Sequence, residues 1–368
     1  MRVKILTSTH IGTGETKHPF EYRYDYDENA YFNYDFSELL RTIDSKVLLE
    51  PWFLNSIKST DPNTKKNFNQ RFRQMIQYDQ VTPRYVCDAG DDFKNTDVFE
   101  QMKTLNQPII PGSSIKGAIQ NAVYYCFLKD HFLQIKDAIL NTRLSEEDLR
   151  KKFNVEWLLN RILNMKSSEA NEFLKIVSSC FYCADLQFED LEILKGIRKG
   201  KKDGVTLYFE CIAPGQEAEG SFIKFEDLSN RLNGYQTQIQ KEFCSYYEPR
   251  HLIQCCNTYM RDILKIEKNN RIIRQDSNLM DLVDDMLHQV ETTSKMYLRV
   301  GKNTDYFFKS ISLLFKTNTP EFYRKHFWKL FAPVTKRVQP DTMPTTRLVL
   351  EGFDETTLGG FLEIDFND

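Results

Sequence analysis

The chain has no glycine-rich phosphate loop: neither G-x-x-x-x-G-K-[ST] nor a G-x-G-x-x-G between strand and helix occurs in its 368 residues. Nucleotide hydrolysis therefore has no support in the sequence. The G-x-S-x-G elbow of a serine hydrolase is missing as well, and the six histidines are scattered without metal-ligand spacing. No apolar run approaches the ~20 residues of a membrane span. The opening "MRVKILTSTHIG" has neither the apolar stretch nor the small-residue cleavage site of a secretory signal. A cytoplasmic protein with no membrane partner is expected. Cysteine is sparse: eight in so long a chain are too dilute for a disulfide framework, and most lie in apolar patterns where a thiol packs as a small hydrophobe. The one C-x-x-C, Cys180 and Cys183, has no second pair at zinc spacing, so no metal or other cofactor is expected. Excess positive charge is lacking too. With 49 Lys and Arg against 52 Asp and Glu, the formal net charge is -3. Any nucleic-acid surface must be a local concentration of cations.

What is present is ordinary globular material, 41% hydrophobic and 27% charged, in a chain long enough for two domains or one elaborated one. Strands are expected at "RVKILT", "AYFNYDF", "FYCADLQF", "KMYLRVGKN", "TTRLVLEGF" and "LGGFLEIDF". The run "VTLYFECIAPGQEAEGSFIKF" reads as two strands joined around Pro214-Gly215. Residues 58–84 are polar, basic and weakly periodic, the pattern of an insertion or a mobile arm. From about Phe225 the chain turns helical through "QTQIQKEFCSYYE", "RHLIQCCNTYMRDILKI" and "NLMDLVDDMLHQVE". No period suggests a solenoid. Strands and helices mixed twice over predict an α+β chain.

One stretch poses a question. In "PGSSIKGAIQNAVYYCFL", Ile115, Ala118, Ile119, Ala122, Val123, Cys126 and Phe127 mark the buried face of a helix that starts at a Pro-Gly turn, where Ser113 or Ser114 can cap. Lys116 then falls in the first turn, where the helix dipole disfavours a cation. Either it is a solvated lysine on an ordinary helix, or Lys116, Gly117 and Gln120 flank an anion site at the helix start.

Four other features carry chemistry. "LKGIRKGKKDG" clusters Lys195, Arg198, Lys199, Lys201 and Lys202 among glycines, read here as a basic loop. His10 stands at a strand end beside Gly12 and Gly14, where it can touch a phosphate, stack on a base or simply shape a turn. Asp25, Asp27 and Asp35 can hold a divalent metal, act as a general base or stay solvated. Tyr22, Tyr24 and Tyr26 alternate with charge, which gives one aromatic face, packed or free for stacking.

Together "THIGTG", "IPGSSIKGAI", "FYCADLQF", the basic segment, "LYFECIAPGQEAEGSF" and the glycine turn in "LRVGKNTDYFFKSI" resemble the RAMP superfamily of CRISPR proteins, in order from end to end. The closing "FAPVTKRVQPDTMPTTRLVLEG" and "LGGFLEI" look most like the type III-A (Csm) subunit that caps the 3′ end of the crRNA. The resemblance implies an RRM-like (ferredoxin-like) core in residues 1–225 with helical insertions, the basic one near 58–84 among them. It implies a second, related domain in residues 226–368. It also implies a non-catalytic crRNA-binding subunit that supports crRNA maturation and antiviral defence. Its partners would be crRNA, the neighbouring Csm backbone and small subunits, target RNA and a trimming nuclease. The implied RNA-binding residues are His10, Gly12 and Gly14; Ser113, Ser114, Lys116 and Gly117 along the guide backbone; Arg198, Lys199, Lys201 and Lys202; and Arg299 and Lys302. Gln120 stands where the family commonly has arginine. The rival reading is an RNA-cleaving RAMP endoribonuclease using His10 as acid/base or Asp25.

Overall fold

The computed structural model of the protein describes residues 1–90, 93–140, 147, 153–179, 181–200, 206–223, 232, 234–235, 237–302, 304, 307, 312–326, 345–352 and 356–366. Lys201, Lys202, Cys180 and most of "FAPVTKRVQPDTMPTT" lie outside these residues.

Short alternating runs open the chain as β1 (Arg2–Ile5), β2 (Gly12–Lys17), β3 (Tyr22–Asp25) and β4 (Ala30–Asn33). The helices α1 (Phe36–Arg41), α2 (Ser45–Leu48), α3 (Pro51–Lys58) and α4 (Pro62–Met75) follow. Next come β5 (Tyr85–Ala89), β6 (Val98–Gln101), β7 (Lys103–Thr104) and β8 (Gln107–Ile110), which lead into the long α5 (Gly112–Asp130). After α6 (Phe132–Leu140), α7 (Val155–Ile162) and α8 (Ser167–Ser179) the chain returns to strand. These strands are β9 (Tyr182–Cys183), β10 (Leu186–Gln187), β11 (Leu191–Lys199), β12 (Thr206–Ile212), β13 (Glu217–Glu219) and β14 (Phe222–Ile223). A helical block, α9 (Gln238–Ser245), α10 (Pro249–Lys268), α11 (Arg271–Arg274) and α12 (Ser277–Thr292), precedes β15 (Met296–Arg299). Two short helices, α13 (Ser312–Asn318) and α14 (Pro320–His326), come before β16 (Arg347–Glu351), β17 (Thr356–Thr357) and β18 (Phe361–Asp365).

The α+β class is as the sequence predicts. A four-stranded antiparallel sheet has the order β13-β1-β18-β15, so the last strand lies between the first and β15. A larger sheet runs β2-β6-β12-β11-β5-β4-β3, with β16 and β17 added at β11. Strands from both sides of residue 225 therefore share both sheets. The core is built by α5 and α10, whose apolar residues recur at three and four. Ile115, Ile119, Ala122, Val123, Cys126 and Phe127 on α5 are buried, as are Leu252, Cys255, Cys256, Tyr259, Ile263 and Leu264 on α10. Each large buried side chain contributes roughly 1.5–3 kcal/mol of transfer free energy. One buried ion pair ties β16 to this block: Arg347 meets Glu267 in two-pronged fashion, Nε to Oε2 and Nη2 to Oε1, each at 2.8 Å.

Four sequence expectations change. Residues 58–84 are no loose arm: Asp61 caps α4 by accepting the Thr64 N–H at 2.7 Å, and Phe68 and Phe72 bury against Phe20 and Phe53 in an aromatic core of their own. The basic segment is largely strand, not loop, because Leu191, Ile193 and Leu194 are buried and carry β11 through to Lys199. Gly196 serves packing there, since a Cβ would come within 2.3 Å of the Phe209 ring on β12. The strands either side of Pro214-Gly215 do not pair with each other: β12 lies beside β11 and β6, whereas β13 joins β1 in the other sheet. Finally, neither serine caps α5. Pro111 occupies that position without a side-chain hydrogen bond, and Asp185 accepts the Gly112 N–H at 2.8 Å.

Candidate nucleic-acid interface

The segment between β1 and β2 is held from two sides. Thr9 exchanges hydrogen bonds with Ile212 on β12, N–H to O at 3.0 and 2.8 Å, and Ser8 O accepts the Gly360 N–H at 3.1 Å just before β18. This strapping buries His10, which is 2% exposed. The glycine turn after β15 is docked on the same segment. The Lys302 N–H donates to His10 O at 3.1 Å, and Gly301, with φ +93°, packs so close that a Cβ would lie 2.3 Å from that oxygen. A positive φ and a backbone contact at one residue leave room only for glycine.

The start of α5 closes the third side. A groove of about 530 Å³ is lined by Gly12 and Gly14, by Ser113, Ser114 and Gly117, and by Arg299, Gly301 and Lys302. Three motifs far apart in the sequence thus meet in one cleft. Gly14 and Gly117 look onto open space: a Cβ at either would meet nothing within 4 Å. The lining mixes glycine, hydroxyl and amide groups with apolar side chains, among them Ile11, Ala118, Met260 and Leu298, and one exposed cation, Lys302, whose Nζ sits 3.5 Å from the centre of the Phe99 ring.

A buried polar network joins the His10 segment to the strands that lead into α5. The Glu210 carboxylate accepts from Tyr85 Oη at 2.5 Å, from the Gln101 N–H at 2.9 Å and from Lys103 Nζ. Gln101 in turn accepts the Ile11 N–H at 2.7 Å and donates to Ile109 O at 2.9 Å, two residues before Pro111. One side chain therefore fixes the spacing between the His10 segment and the start of α5. His10 Nδ1–H donates to Glu210 O at 2.7 Å, which leaves Nε2 as the unprotonated nitrogen. Nε2 has no hydrogen-bond partner among the described residues, and a Cβ on Gly12 would stand 2.8 Å from it. Burial pushes the His10 pKa down to about 4, with the charges of Lys302 and Lys103 adding to the effect and the bond to Glu210 O opposing it. The ring is neutral at pH 7.

The sequence model of the RAMP superfamily matches residues 2–336. The chain belongs to the RAMP superfamily. No curated protein matches it. Among solved structures, a chain of a type III-A Csm–crRNA–target RNA ternary complex determined by cryo-EM shares this fold with a TM-score of 0.66 at 18% identity, over 99% of both chains. The crystal structure of T. onnurineus Csm5 does so with a TM-score of 0.56 at 18% identity, over 86% of this chain and 94% of that one.

Within this RAMP fold the predicted residues divide. Gly12, Gly14, Ser113, Ser114, Gly117, Arg299 and Lys302 line the groove, with His10 beneath it. Arg299 is 3% exposed and spends its Nε on Gly359 O at 2.9 Å, so it braces the groove wall. Lys116 and Gln120, one turn apart, lie on a different stripe of α5. Gln120 Nε2 donates to Ser178 Oγ at 2.7 Å, and the Lys116 charge acts at Cys183, where Asp185 also lies. The lysine in the first turn therefore shares its end of the helix with a protein carboxylate. Arg198 is exposed on β11, while Lys195 pairs with Glu351 at 3.5 Å and Lys199 with Asp276 at 2.6 Å, away from the groove-lining elements. The missed residue is Asn121, exposed in the groove one turn beyond Gly117. Helical spacing from Ser113 and Gly117 points to it.

The acidic candidates do not converge. Asp25 accepts the Asp27 N–H at 3.0 Å in the β3–β4 turn, and Asp35 caps α1 through Ser37 N–H at 2.7 Å. Among the described residues no group of three or more His, Cys, Asp or Glu could hold a metal. Tyr22 and Tyr24 are packed on Phe93, and Tyr26 is exposed. No helix among the described residues is long and apolar enough to cross a membrane.

Proposed function

We propose that this RAMP protein is a crRNA-binding subunit of a type III-A CRISPR effector complex, seated at the 3′ end of the guide, and that its groove holds the guide backbone. The observation that carries this reading is the meeting of the Gly12–Gly14 segment, the start of α5 and the Gly301 turn in one cleft. Glycines that leave open space admit a sugar-phosphate chain closely, and serine hydroxyls, an asparagine amide and Lys302 supply donors to phosphate. Such contacts position a strand without reading its sequence. The likeness to a chain of the Csm–crRNA–target RNA complex supports the same assignment, with neighbouring Csm backbone and small subunits as protein partners. Target RNA and a trimming nuclease complete the expected set.

The subunit acts without catalysis in this reading. A general acid must hold a proton near neutral pH, and an acid or a base alike must reach substrate. His10 is neutral there and covered by Gly12, and the Asp25 carboxylate is engaged by its own turn. Co-purification with small RNA and neighbouring subunits, followed by crosslinking to each RNA end, tests the assignment. A crosslink confined to the 5′ end overturns the capping position, and RNA cleavage by the isolated protein that His10→Ala or Asp25→Ala abolishes overturns the absence of catalysis.

A further inference from the structure

The helix α4 carries four cations, Lys65, Lys66, Arg71 and Arg73, and no carboxylate in its 14 residues. The chain as a whole has 52 Asp and Glu in 368 residues, one in seven, so a helix of this length would ordinarily carry two. Elsewhere Lys103, Lys129, Lys199 and Lys295 each have an acidic partner. Lys65 and Lys66 are exposed and have no ion pair among the described residues.

The rest of the helix narrows the ligand. Its large apolar residues, Phe68 and Phe72, are spent on the aromatic core beneath, and none of the exposed large hydrophobics of the chain belongs to it. A protein interface needs an apolar or aromatic anchor at its centre; α4 itself presents none, and the exposed Leu54 and Ile57 belong to its neighbour α3. It offers amides instead: Asn63, Asn67, Gln70 and Gln74 are exposed between the cations. Cations and amides without an apolar centre are the chemistry of a nucleic-acid backbone site.

Its position links it to the groove. β2 starts at Gly12 in the cleft and ends at Lys17. His18 follows, packs its ring at a tilt against Phe20 with centroids 5.5 Å apart, and lies within the field of Lys65. The five steps of strand from Gly12 to Lys17 span about 17 Å.

We propose that the outer face of α4 is a second binding surface, for the phosphates of single-stranded RNA, at the opposite end of β2 from the groove. The inference goes beyond the groove reading and stands on different residues. The strand it takes is either a continuation of the one in the groove or a separate strand.

The test uses the full chain, with fluorescent uridine oligomers of about 30 and about 6 nucleotides, titrated across a salt series. Lys65→Gln/Lys66→Gln should melt as wild type does and bind the longer oligomer several-fold more weakly at low salt. Its log–log salt slope should be shallower by up to about 1.4, at about 0.7 per lost phosphate contact. Removing three exposed lysines of other helices, Lys175, Lys241 and Lys265, should leave the slope alone. A groove variant, Gly117→Glu, is measured beside them, so that failure of the groove and failure of α4 are read separately. If one strand spans both sites, the α4 change weakens the longer oligomer only; if a separate strand binds, it weakens both. An unchanged slope for both oligomers in a folded Lys65→Gln/Lys66→Gln variant overturns the proposal. So does unchanged RNA binding with loss of a neighbouring protein subunit on co-purification.

Discussion

Gly301 presses its α-carbon against His10, with its backbone at φ +93° and the His10 carbonyl oxygen 2.3 Å from where a Cβ would be. Gly301→Ala must therefore accept a left-handed backbone strain and a contact no side chain tolerates, costing about 1–3 kcal/mol. The turn that carries Lys302 has to move. Urea denaturation should show the loss of stability, and RNA retention measured at a temperature where the variant is folded should also fall. Retention equal to wild type would separate this turn from the groove.

Gly117 and Lys116 are neighbours on α5 with opposite expectations. Gly117→Glu adds a side chain into open space and improves helix propensity by up to about 1 kcal/mol. It also puts a carboxylate in the groove. Melting temperature should hold or rise while RNA occupancy drops at least tenfold, from loss of about 1.5 kcal/mol or more. Lys116→Glu introduces the same charge beside Asp185 and Cys183 and should change stability more than occupancy.

The buried Arg347–Glu267 pair gives a stability test free of the groove. Glu267→Gln leaves the guanidinium buried without its counter-charge and should cost about 3–5 kcal/mol. Replacing both partners with apolar residues of similar volume should cost far less. Chemical denaturation of the single and double variants measures the difference.

His10 sets a pH dependence. Its folded pKa, about 4, lies below the ordinary value of 6.5, so the unfolded chain binds the extra proton between those values. Stability from this group is complete above pH 6.5 and is lost as pH falls toward 4. Between pH 7 and pH 5 the loss is about 2 kcal/mol. His10→Asn should flatten that part of the urea-derived stability curve. A wild-type curve that is level from pH 7 to 5 would show that the imidazole is not buried as described.

The helices of the core were legible because their apolar residues keep one period: Ile115 through Phe127 could be read from spacing alone. The three groove motifs could also be picked out, since each carries glycine at a place where only glycine fits or where space is left open. Their convergence could not, because the hydrogen bonds that join them run from Lys302 to His10 and from Gln101 to Ile11, across distances no local pattern records. The basic segment misled because glycine and lysine suggest a loop. Leu191, Ile193 and Leu194 decided otherwise by burial, and Gly196 makes room for Phe209. Residues 58–84 misled for a related reason: a helix that buries only two phenylalanines shows little periodicity against so many polar residues.

The place of β18 between β1 and β15 has a consequence in time. β1 pairs with β13 along one edge, but its other edge is closed only by residues 361–365, far later in the chain. Gly360, just ahead of that strand, holds both Ser8 and Val300 through its N–H and carbonyl, and these flank the two glycine-bearing walls of the cleft. Pairing across nearly the whole chain is slow to close. A chain in which β18 has not yet docked has the start of α5 but lacks the Gly360 bonds to Ser8 and Val300 that hold the walls of the cleft together.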